Sequence, residues 1–272
     1  MKFRSIAIAA IAACCSLAGL SPALAQSDLL VAPTRLVLAG NTGGEVVLSN
    51  KGDSRATYRI SLVLRRMDAD GRITAVDEEF ATPEEAAALD ILTYAPRRIT
   101  LASQESRTVR VGVRAPDTMP AGEYRAHLLF RSVPDAADPV SAEDAGEADG
   151  VSIRLTPVYG VAIPVIVRVG EVNGEASITI AQMGESENGP TVNVELSRSG
   201  NRSVYGDLAI MRAGEKEPVT RIKGIALYPE IDNRRIAIPV DRSIASASGL
   251  SVQFTESDPA GDGQPVVAPL GR

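Results

Sequence analysis

The sequence contains little of the chemistry that metal sites, haem attachment or base stacking require. Its 272 residues include two Cys, one His and no Trp, with only four Phe and six Tyr. The scarcity of His and Cys excludes most zinc sites and haem attachment. The scarcity of aromatic side chains leaves few platforms on which bases or sugars stack. We therefore expect neither a metal nor a cofactor.

Positive charge is also in short supply. The chain has 28 Lys and Arg against 34 Asp and Glu, a formal net charge of −6. Because phosphate binding needs a basic face, this balance argues against nucleic acid as a partner. Hydrophobic residues make up 44% of the chain, which is enough for packed cores and excludes global disorder.

The N-terminus has the pattern of a secretory signal. Lys2 and Arg4 precede an uncharged, mostly apolar run over residues 5–20, and Ala-Leu-Ala follows at residues 23–25. This pattern predicts cleavage before Gln26 and export from the cytoplasm. Both cysteines lie in the segment that cleavage removes, so the mature chain cannot use disulfides and depends on its hydrophobic cores.

Two alternatives to cleavage before Gln26 stay open. Residues 11–14 read Ile-Ala-Ala-Cys, which resembles a bacterial lipobox and would make Cys14 a lipidated N-terminus. A retained membrane anchor is the other, but the apolar run is short for a spanning helix and Pro22 interrupts it.

Most of the remaining chain alternates between apolar and polar residues, as strands do. In residues 58–66, Ile60, Leu62 and Leu64 share one parity and polar residues take much of the other. Asp-Ala-Asp-Gly at residues 68–71 predicts a tight hairpin turn. The only helical pattern covers residues 83–89, and we expect one or two turns within a loop. Further strands are predicted at residues 29–38, 45–49, 72–74, 98–101, 107–113 and 124–133.

A break and a long strand follow. Residues 135–150 are acidic and almost free of bulky apolar groups, which predicts a long exposed loop. Residues 151–169 then give the longest strand pattern in the chain. Pro157 and Pro164 cannot donate to a ladder, so this strand cannot be fully paired on both sides. Its unpaired groups are available to a partner strand.

The chain divides into two all-β units. Gly170 and the Asn-Gly pair at residues 173–174 mark a boundary, and short strand patterns resume over residues 175–257. We expect a signal peptide at 1–25, domains at 26–169 and 170–257, and a loose Gly-, Pro- and Asp-rich tail at 258–272. The fold class is all-β, with two immunoglobulin-like β-sandwiches in tandem.

No constellation of catalytic residues is present, so we expect no enzyme. The single histidine, His127, lies in an alternating strand without a Cys or acidic neighbour at ligand spacing, which favours a structural or surface-exposed residue over a ligand. Residues 68–71 lack the remaining ligands of a calcium loop. The carboxylate clusters at residues 77–79 and 84–85 fit a solvated face better than glycosidase chemistry.

Residues 28–168 resemble the N-terminal domain of periplasmic pilus-assembly chaperones of the chaperone–usher type. The segments that carry the resemblance are PTRLVL at 33–38, VVLS at 46–49, PRRITL at 96–101, ESRTVR at 105–110, PAGEYR at 120–125, FRSVP at 130–134 and VIVR at 165–168. In the second domain the resemblance rests on strand pattern and on Leu-Tyr-Pro at 227–229.

The resemblance implies a fold, a location and partners. Such chaperones are boomerangs of two immunoglobulin-like domains in the periplasm, where they cap pilin-like subunits that lack one strand. The long last strand of the first domain supplies the missing strand by β-augmentation. An outer-membrane usher is a further partner that the resemblance implies. The matching donor positions in this sequence are Ile153, Leu155, Tyr159 and Val161.

The family also anchors the carboxylate of the subunit's C-terminus with two basic residues. Arg35 matches the first, and a guanidinium suits carboxylate capture. The second position falls on Pro164, so that base is missing. Three alternatives stay open: a weaker anchor, substitution by Arg168 or Arg98, or a ligand that is presented differently.

Two further alternatives stay open. The chain could instead be a structural or adhesive immunoglobulin-like envelope protein whose strand 151–169 pairs permanently within its own domain. A bare donor edge also allows a homodimer, in which each copy covers the edge of the other.

Overall fold

The computed structural model describes residues 28–134, 158–245, 247–261 and 263–271. The predicted export signal with Cys14, the acidic loop, and the donor positions Ile153 and Leu155 lie outside the described residues.

Ten strands form the first sandwich. They are β1 (Leu29–Ala32), β2 (Leu36–Ala39), β3 (Gly43–Asn50), β4 (Ala56–Met67), β5 (Ile73–Val76), β6 (Leu92–Ala95), β7 (Arg98–Leu101), β8 (Ser106–Val113), β9 (Gly122–Val133) and β10 (Gly160–Val169). One sheet has the order β1-β3-β8-β6 and the other β2-β10-β9-β4-β5, with β7 also paired to β4. This arrangement of two packed sheets is that of an immunoglobulin-like sandwich.

The predicted alternation places the core of the first sandwich. In β8, Val109, Val111 and Val113 are buried, whereas Arg110 between them is exposed. From the facing sheet, Leu128 and Phe130 of β9 are fully buried in the same core. Period-two patterning therefore determines which side of each strand faces the partner sheet.

The strand predicted at residues 29–38 is two strands in different sheets. β1 pairs antiparallel with β3, and β2 pairs parallel with β10. Pro33 lies between them and has no N–H for either ladder, so the chain leaves one sheet there and enters the other.

The helical pattern after residue 82 forms a helix of nine residues, α1 (Pro83–Ile91). Thr82 and Glu85 form a reciprocal capping box, and Pro83 occupies the first turn. Ala88 and Ile91 are buried in the first core, so α1 covers part of that core and is more than a turn within a loop.

The second sandwich contains seven strands. They are β11 (Gly174–Ser186), β12 (Gly189–Gly200), β13 (Val204–Arg212), β14 (Thr220–Leu227), β15 (Asn233–Pro239), β16 (Leu250–Glu256) and β17 (Pro265–Pro269), with a short helix α2 (Arg242–Ala245) before β16. The sheets have the orders β11-β12-β15 and β14-β13-β16-β17. Leu196, Leu208, Ile210 and Phe254 are fully buried between them. The predicted all-β class with two sandwiches in tandem is confirmed.

The prediction of a loose tail at 258–272 is wrong. β17 pairs antiparallel with β16, and the N–H of Gly271 donates to the carbonyl of Ala181 in β11 at 2.8 Å. Val266, Ala268 and Leu270 alternate as half-buried residues. The Gly, Pro and Asp content of the segment obscured this alternation, which is sufficient for an edge strand.

Within the described residues, no helix has the length and apolar character needed to cross a membrane.

Candidate functional site

A cleft of about 440 Å³ lies between the two sandwiches. Its floor is the outer face of the sheet β2-β10-β9-β4. Because even-numbered residues of β9 face the first core, its odd-numbered residues Glu123, Arg125 and His127 face the second sandwich. The residues lining the cleft from the first sandwich are Thr34, Arg35, Arg65, Met67, Gly71, Ile73, His127, Ala162 and Pro164; those from the second are Tyr205, Gly224, Ala226, Tyr228 and Arg234.

Asp258 joins the sandwiches at one side of the cleft. Its carboxylate accepts two hydrogen bonds from Arg168 of β10, at 2.7 and 2.6 Å, and one from Arg35 at 3.2 Å. The carboxylate is fully buried, and burial alone would raise its pKa. The hydrogen bonds from Arg168 and from the backbone N–H of Ala260 outweigh burial and hold the pKa of Asp258 below its usual range.

Glu123 makes a second connection beside it. Its Oε2 accepts hydrogen bonds from the backbone N–H of Ser203 at 3.1 Å, from the Ser203 hydroxyl at 2.9 Å and from Arg168 Nε at 3.2 Å. Arg168 is therefore held by carboxylates from both sandwiches. The sequence-based suggestion that Arg168 substitutes for a missing anchor does not agree with this geometry, because its guanidinium is already occupied.

Glu230 makes the third connection. Its Oε1 accepts the backbone N–H of Met67 at 2.9 Å and the guanidinium of Arg125 at 2.5 Å. Arg125 also stacks on the ring of Tyr228, with its central carbon 3.6 Å from the ring centroid. Met67 and Tyr228 belong to a small apolar cluster that spans the two sandwiches and also contains Ile166 and Ala226.

The turn after β4 docks on the second sandwich. The predicted hairpin is confirmed, since Met67 pairs with Ile73 across it. The backbone N–H of Arg235 donates to the carbonyl of Ala69 at 2.7 Å, and Arg235 Nε donates to Asp70 at 2.8 Å. The same turn therefore forms one wall of the cleft.

Arg35, the predicted carboxylate anchor, lies in the cleft. Besides Asp258, its guanidinium donates to the Ser203 hydroxyl at 3.1 Å and stacks on Tyr205 at 4.6 Å. These contacts fix the Arg35 side chain. Asp258 is the carboxylate it binds, and Arg35 shares that carboxylate with Arg168. Pro164, the position predicted for a second base, lines the same cleft.

Arg98, the other suggested substitute, lies elsewhere. It begins β7, which pairs with the start of β4, and it lines a separate surface depression with Arg55 and Arg107. It does not line the cleft that contains Arg35.

β10 has an open edge next to the cleft. It pairs with β9 along its whole length, but with β2 only from Val165 to Arg168. The carbonyl of Arg168 accepts from Gly40 beyond β2, and that of Tyr159 accepts from Ser132 in β9. Even-numbered residues therefore direct their backbone groups to the β2 side, where Gly160 and Ala162 have no partner strand among the described residues.

This geometry explains how Pro164 is tolerated inside the sheet. As an even-numbered residue, it would direct an N–H to the open edge, so its missing donor does not weaken the ladder with β9. Gly160 and Ala162 keep both their N–H groups and their carbonyls at that edge, whereas the Pro164 carbonyl lies where the ladder with β2 begins.

The two described donor positions differ. Tyr159 is 40% exposed, and its backbone N–H donates to the Ser132 hydroxyl at 3.0 Å. Val161 is half-buried and packs against the first core, followed by the fully buried Ile163, Val165 and Val167 at the same parity. The Val161 side chain is therefore in use within its own domain, whereas Tyr159 lies where the core ends.

His127 is buried and belongs to the cleft floor. Burial, and after it the nearby Arg125 and Arg65, lowers its pKa to about 3, so the ring is neutral near neutral pH. Within the described residues, no group of three or more His, Cys, Asp and Glu side chains is arranged to hold a metal ion.

Sequence reasoning missed Glu123, Glu230 and Asp258, the acidic residues that join the sandwiches. For Glu123 a signal was available, since Glu123, Arg125 and His127 occupy one parity of a strand whose other parity is apolar. Such a strand presents a polar face that must be paired when it is covered. Asp258 lies in a segment of tail-like composition and gave no comparable signal.

Comparison with known proteins gives matches in structure alone. No protein-family model matches the sequence, and no curated protein matches it. A solved structure of the CsuC–CsuE chaperone–tip adhesion subunit complex of archaic Csu pili from Acinetobacter baumannii is similar, with 10% identity and a TM-score of 0.49, covering 90% of this chain and 100% of that one.

Two further solved structures are similar to this chain. The complex of the SafA pilin with the SafB chaperone from Salmonella enterica has 14% identity and a TM-score of 0.48, covering 91% of this chain and 99% of that one. The CupB2 chaperone from Pseudomonas aeruginosa has 13% identity and a TM-score of 0.46, covering 89% of this chain and 100% of that one.

Proposed function

We propose that this protein is a periplasmic chaperone of the chaperone–usher type, which binds pilin-like subunits by strand donation and hands them on for assembly. The observation that carries the proposal is the open edge of β10, which directly adjoins a cleft containing a fixed arginine, Arg35.

The open edge suits an incoming strand. Backbone N–H groups and carbonyls of Gly160 and Ala162 have no strand partner among the described residues. Each hydrogen bond that a partner strand makes there contributes about 1 kcal/mol net. Alternate side chains of the donated strand then determine the register of pairing. Ile153, Leu155 and Tyr159 are odd-numbered, like the residues of β10 that are buried in the first core.

The cleft suits the end of the same partner. A strand pairing with β10 beside β2 runs into the cleft, where Arg35 is held by Asp258, Ser203 and Tyr205. A guanidinium fixed in this way can bind a terminal carboxylate without further ordering, which favours affinity. A protein with these features acts by binding, and the proposal includes no catalytic step.

The proposal is tested by capture of subunits from a periplasmic extract of the source organism, with mass spectrometry of the retained proteins. Ala162→Pro removes one edge N–H in the same way that Pro164 already lacks one, and leaves the ladder with β9 complete. Ala162→Val keeps the N–H and is the matched control. We expect at least about fivefold weaker retention of a small secreted β-protein for Ala162→Pro and for Leu155→Asp, but not for Ala162→Val.

Two results would contradict the proposal. If the unaltered protein retains no subunit, the structural or adhesive alternative takes precedence. If Ala162→Pro and Ala162→Val retain a subunit equally, binding does not use the edge of β10. A separate sedimentation measurement of the purified protein detects a homodimer formed through that edge, which Ala162→Pro would weaken.

A further inference from the structure

The cleft contains more positive than negative charge. Arg168 is balanced by Glu123 and Asp258, and Arg125 is balanced by Glu230. Arg65 and Arg234 also line the cleft, but within the described residues neither guanidinium has a carboxylate oxygen within 4.0 Å.

Unpaired donors accompany this charge. The Nε atoms of Arg35, Arg65 and Arg234 are buried and have no hydrogen-bond partner among the described residues. All three side chains line the same cavity. A buried donor left without a partner costs about 1–3 kcal/mol, so a shift of these side chains that brings the donors to an acceptor in the cavity would recover part of that cost.

The neighbouring groups do not supply an alternative base. Pro164 occupies the position of the family's second anchor, and His127 lies beside it as its partner in the β9–β10 register. The His127 ring is neutral, so the guanidiniums carry the positive charge of this part of the cleft. Val63 of β4 pairs with His127 on the other side, and Arg65 follows on the same face of β4.

Arg234 extends into the cleft from the second sandwich, and its guanidinium packs against Gly71 of the first sandwich. A Cβ atom on Gly71 would overlap the Arg234 guanidinium. Gly71 also has φ of +78°, which favours glycine. Arg234 Nη1 donates to the carbonyl of Ala226 at 2.7 Å, which orients the side chain. Burial lowers the pKa of Arg234, and a bound anion would offset that cost.

We propose that Arg65 and Arg234 replace the missing second base, so that a carboxylate is bound by Arg35 together with one further arginine from each sandwich. This inference rests on the proposed function, because the carboxylate is taken to be the C-terminus of the bound subunit. It differs from an anchor confined to one domain, because Arg234 belongs to the second sandwich. Binding of the carboxylate then depends on how the sandwiches are docked.

The test uses a minimal carboxylate and its neutral counterpart. N-acetylglycine and N-acetylglycinamide are titrated into the full mature protein, and the arginine Nε–H signals are followed by NMR. We expect N-acetylglycine to shift the signals of Arg35, Arg65 and Arg234, and the amide to shift none of them. Arg65→Gln and Arg234→Gln should each weaken binding about tenfold, as expected for loss of a charge-assisted bond.

Matched variants separate charge from folding. Arg72→Gln removes an arginine that is 75% exposed on the same turn as Gly71, and should leave binding unchanged. Arg234→Lys keeps the charge but not the planar fork, and should restore part of the loss. If N-acetylglycine shifts only Arg35, or if the Arg72→Gln and Arg234→Gln proteins bind it equally, the inference is wrong.

Subunit capture distinguishes this inference from the proposed function. If Arg35→Ala and Ala162→Pro lose the subunit while Arg65→Gln and Arg234→Gln retain it fully, the chaperone function stands and the assignment of the second base fails. If N-acetylglycine binds as expected but neither the unaltered protein nor any variant retains a subunit, the anion site stands and the chaperone function fails.

Discussion

Asp258→Asn should strongly weaken the connection between the two sandwiches. The Asp258 side chain is fully buried and is bonded by Arg168 and Arg35, whose side chains are 8% and 11% exposed. Asparagine keeps the size and can still accept the N–H of Ala260, but it removes the negative charge. Breaking a buried pair by removing one partner costs about 3–5 kcal/mol, because the other charge is left uncompensated.

The structure favours the lower end of that range. Arg168 keeps its bond to Glu123 at 3.2 Å, and Arg35 keeps the Ser203 hydroxyl at 3.1 Å. We therefore expect a loss of about 3 kcal/mol in the free energy of unfolding. Because Asp258 and Arg168 belong to different sandwiches, urea unfolding followed by circular dichroism should also become less cooperative, with the sandwiches unfolding in separate steps.

The matched control is Asp232→Asn. Asp232 also pairs with a buried arginine, Arg198, but at 3.6 Å and with its own side chain 86% exposed. An exposed carboxylate of this kind contributes less than about 1 kcal/mol. If Asp258→Asn costs no more than Asp232→Asn, Asp258 does not hold the sandwiches together and the argument from burial is refuted.

Further predictions concern pH, the helix, the core and the last strand. Since the pKa of Asp258 is lowered in the folded state, its contribution to the free energy of unfolding is complete above the unfolded pKa of about 4 and is lost as the pH falls below that value. The urea midpoint should therefore fall less steeply in acid for Asp258→Asn than for the unaltered protein. Thr82→Ala removes the cap of α1 and should cost about 1 kcal/mol in urea unfolding, whereas no change would mean that the capping box is not formed in solution. Leu128→Ala in the first core should cost about 2–5 kcal/mol by the same measurement, and a cost below that range would indicate a loosely packed core. Deletion of residues 265–272 removes β17 and should lower the thermal midpoint of the second sandwich, whereas a truly loose tail would leave the midpoint unchanged.

Period-two alternation was sufficient to predict most of the first sandwich. It identified the buried parity of β4, because a residue's side of the sheet follows directly from its position along a strand. It could not predict that the first strand changes sheets at Pro33, since both halves have the same pattern and the choice of partner depends on distant strands.

The candidate site was predictable only in part. Arg35 was identified through a family resemblance, and the structure places it in the cleft. The carboxylates that position it could not be found in this way, because Asp258 is 223 residues away from Arg35 in the chain. Contacts at that separation are determined by the docking of two finished sandwiches, which leaves no local pattern.

The separation of these residues along the chain has a consequence for the order of events during synthesis. The last strand of the first sandwich ends at Val169, whereas Glu230 and Asp258 come much later. A nascent chain can therefore fold its first sandwich while Arg125 and Arg168 still face solvent without their later partners. The open edge of β10 is then formed before the cleft between the sandwiches exists.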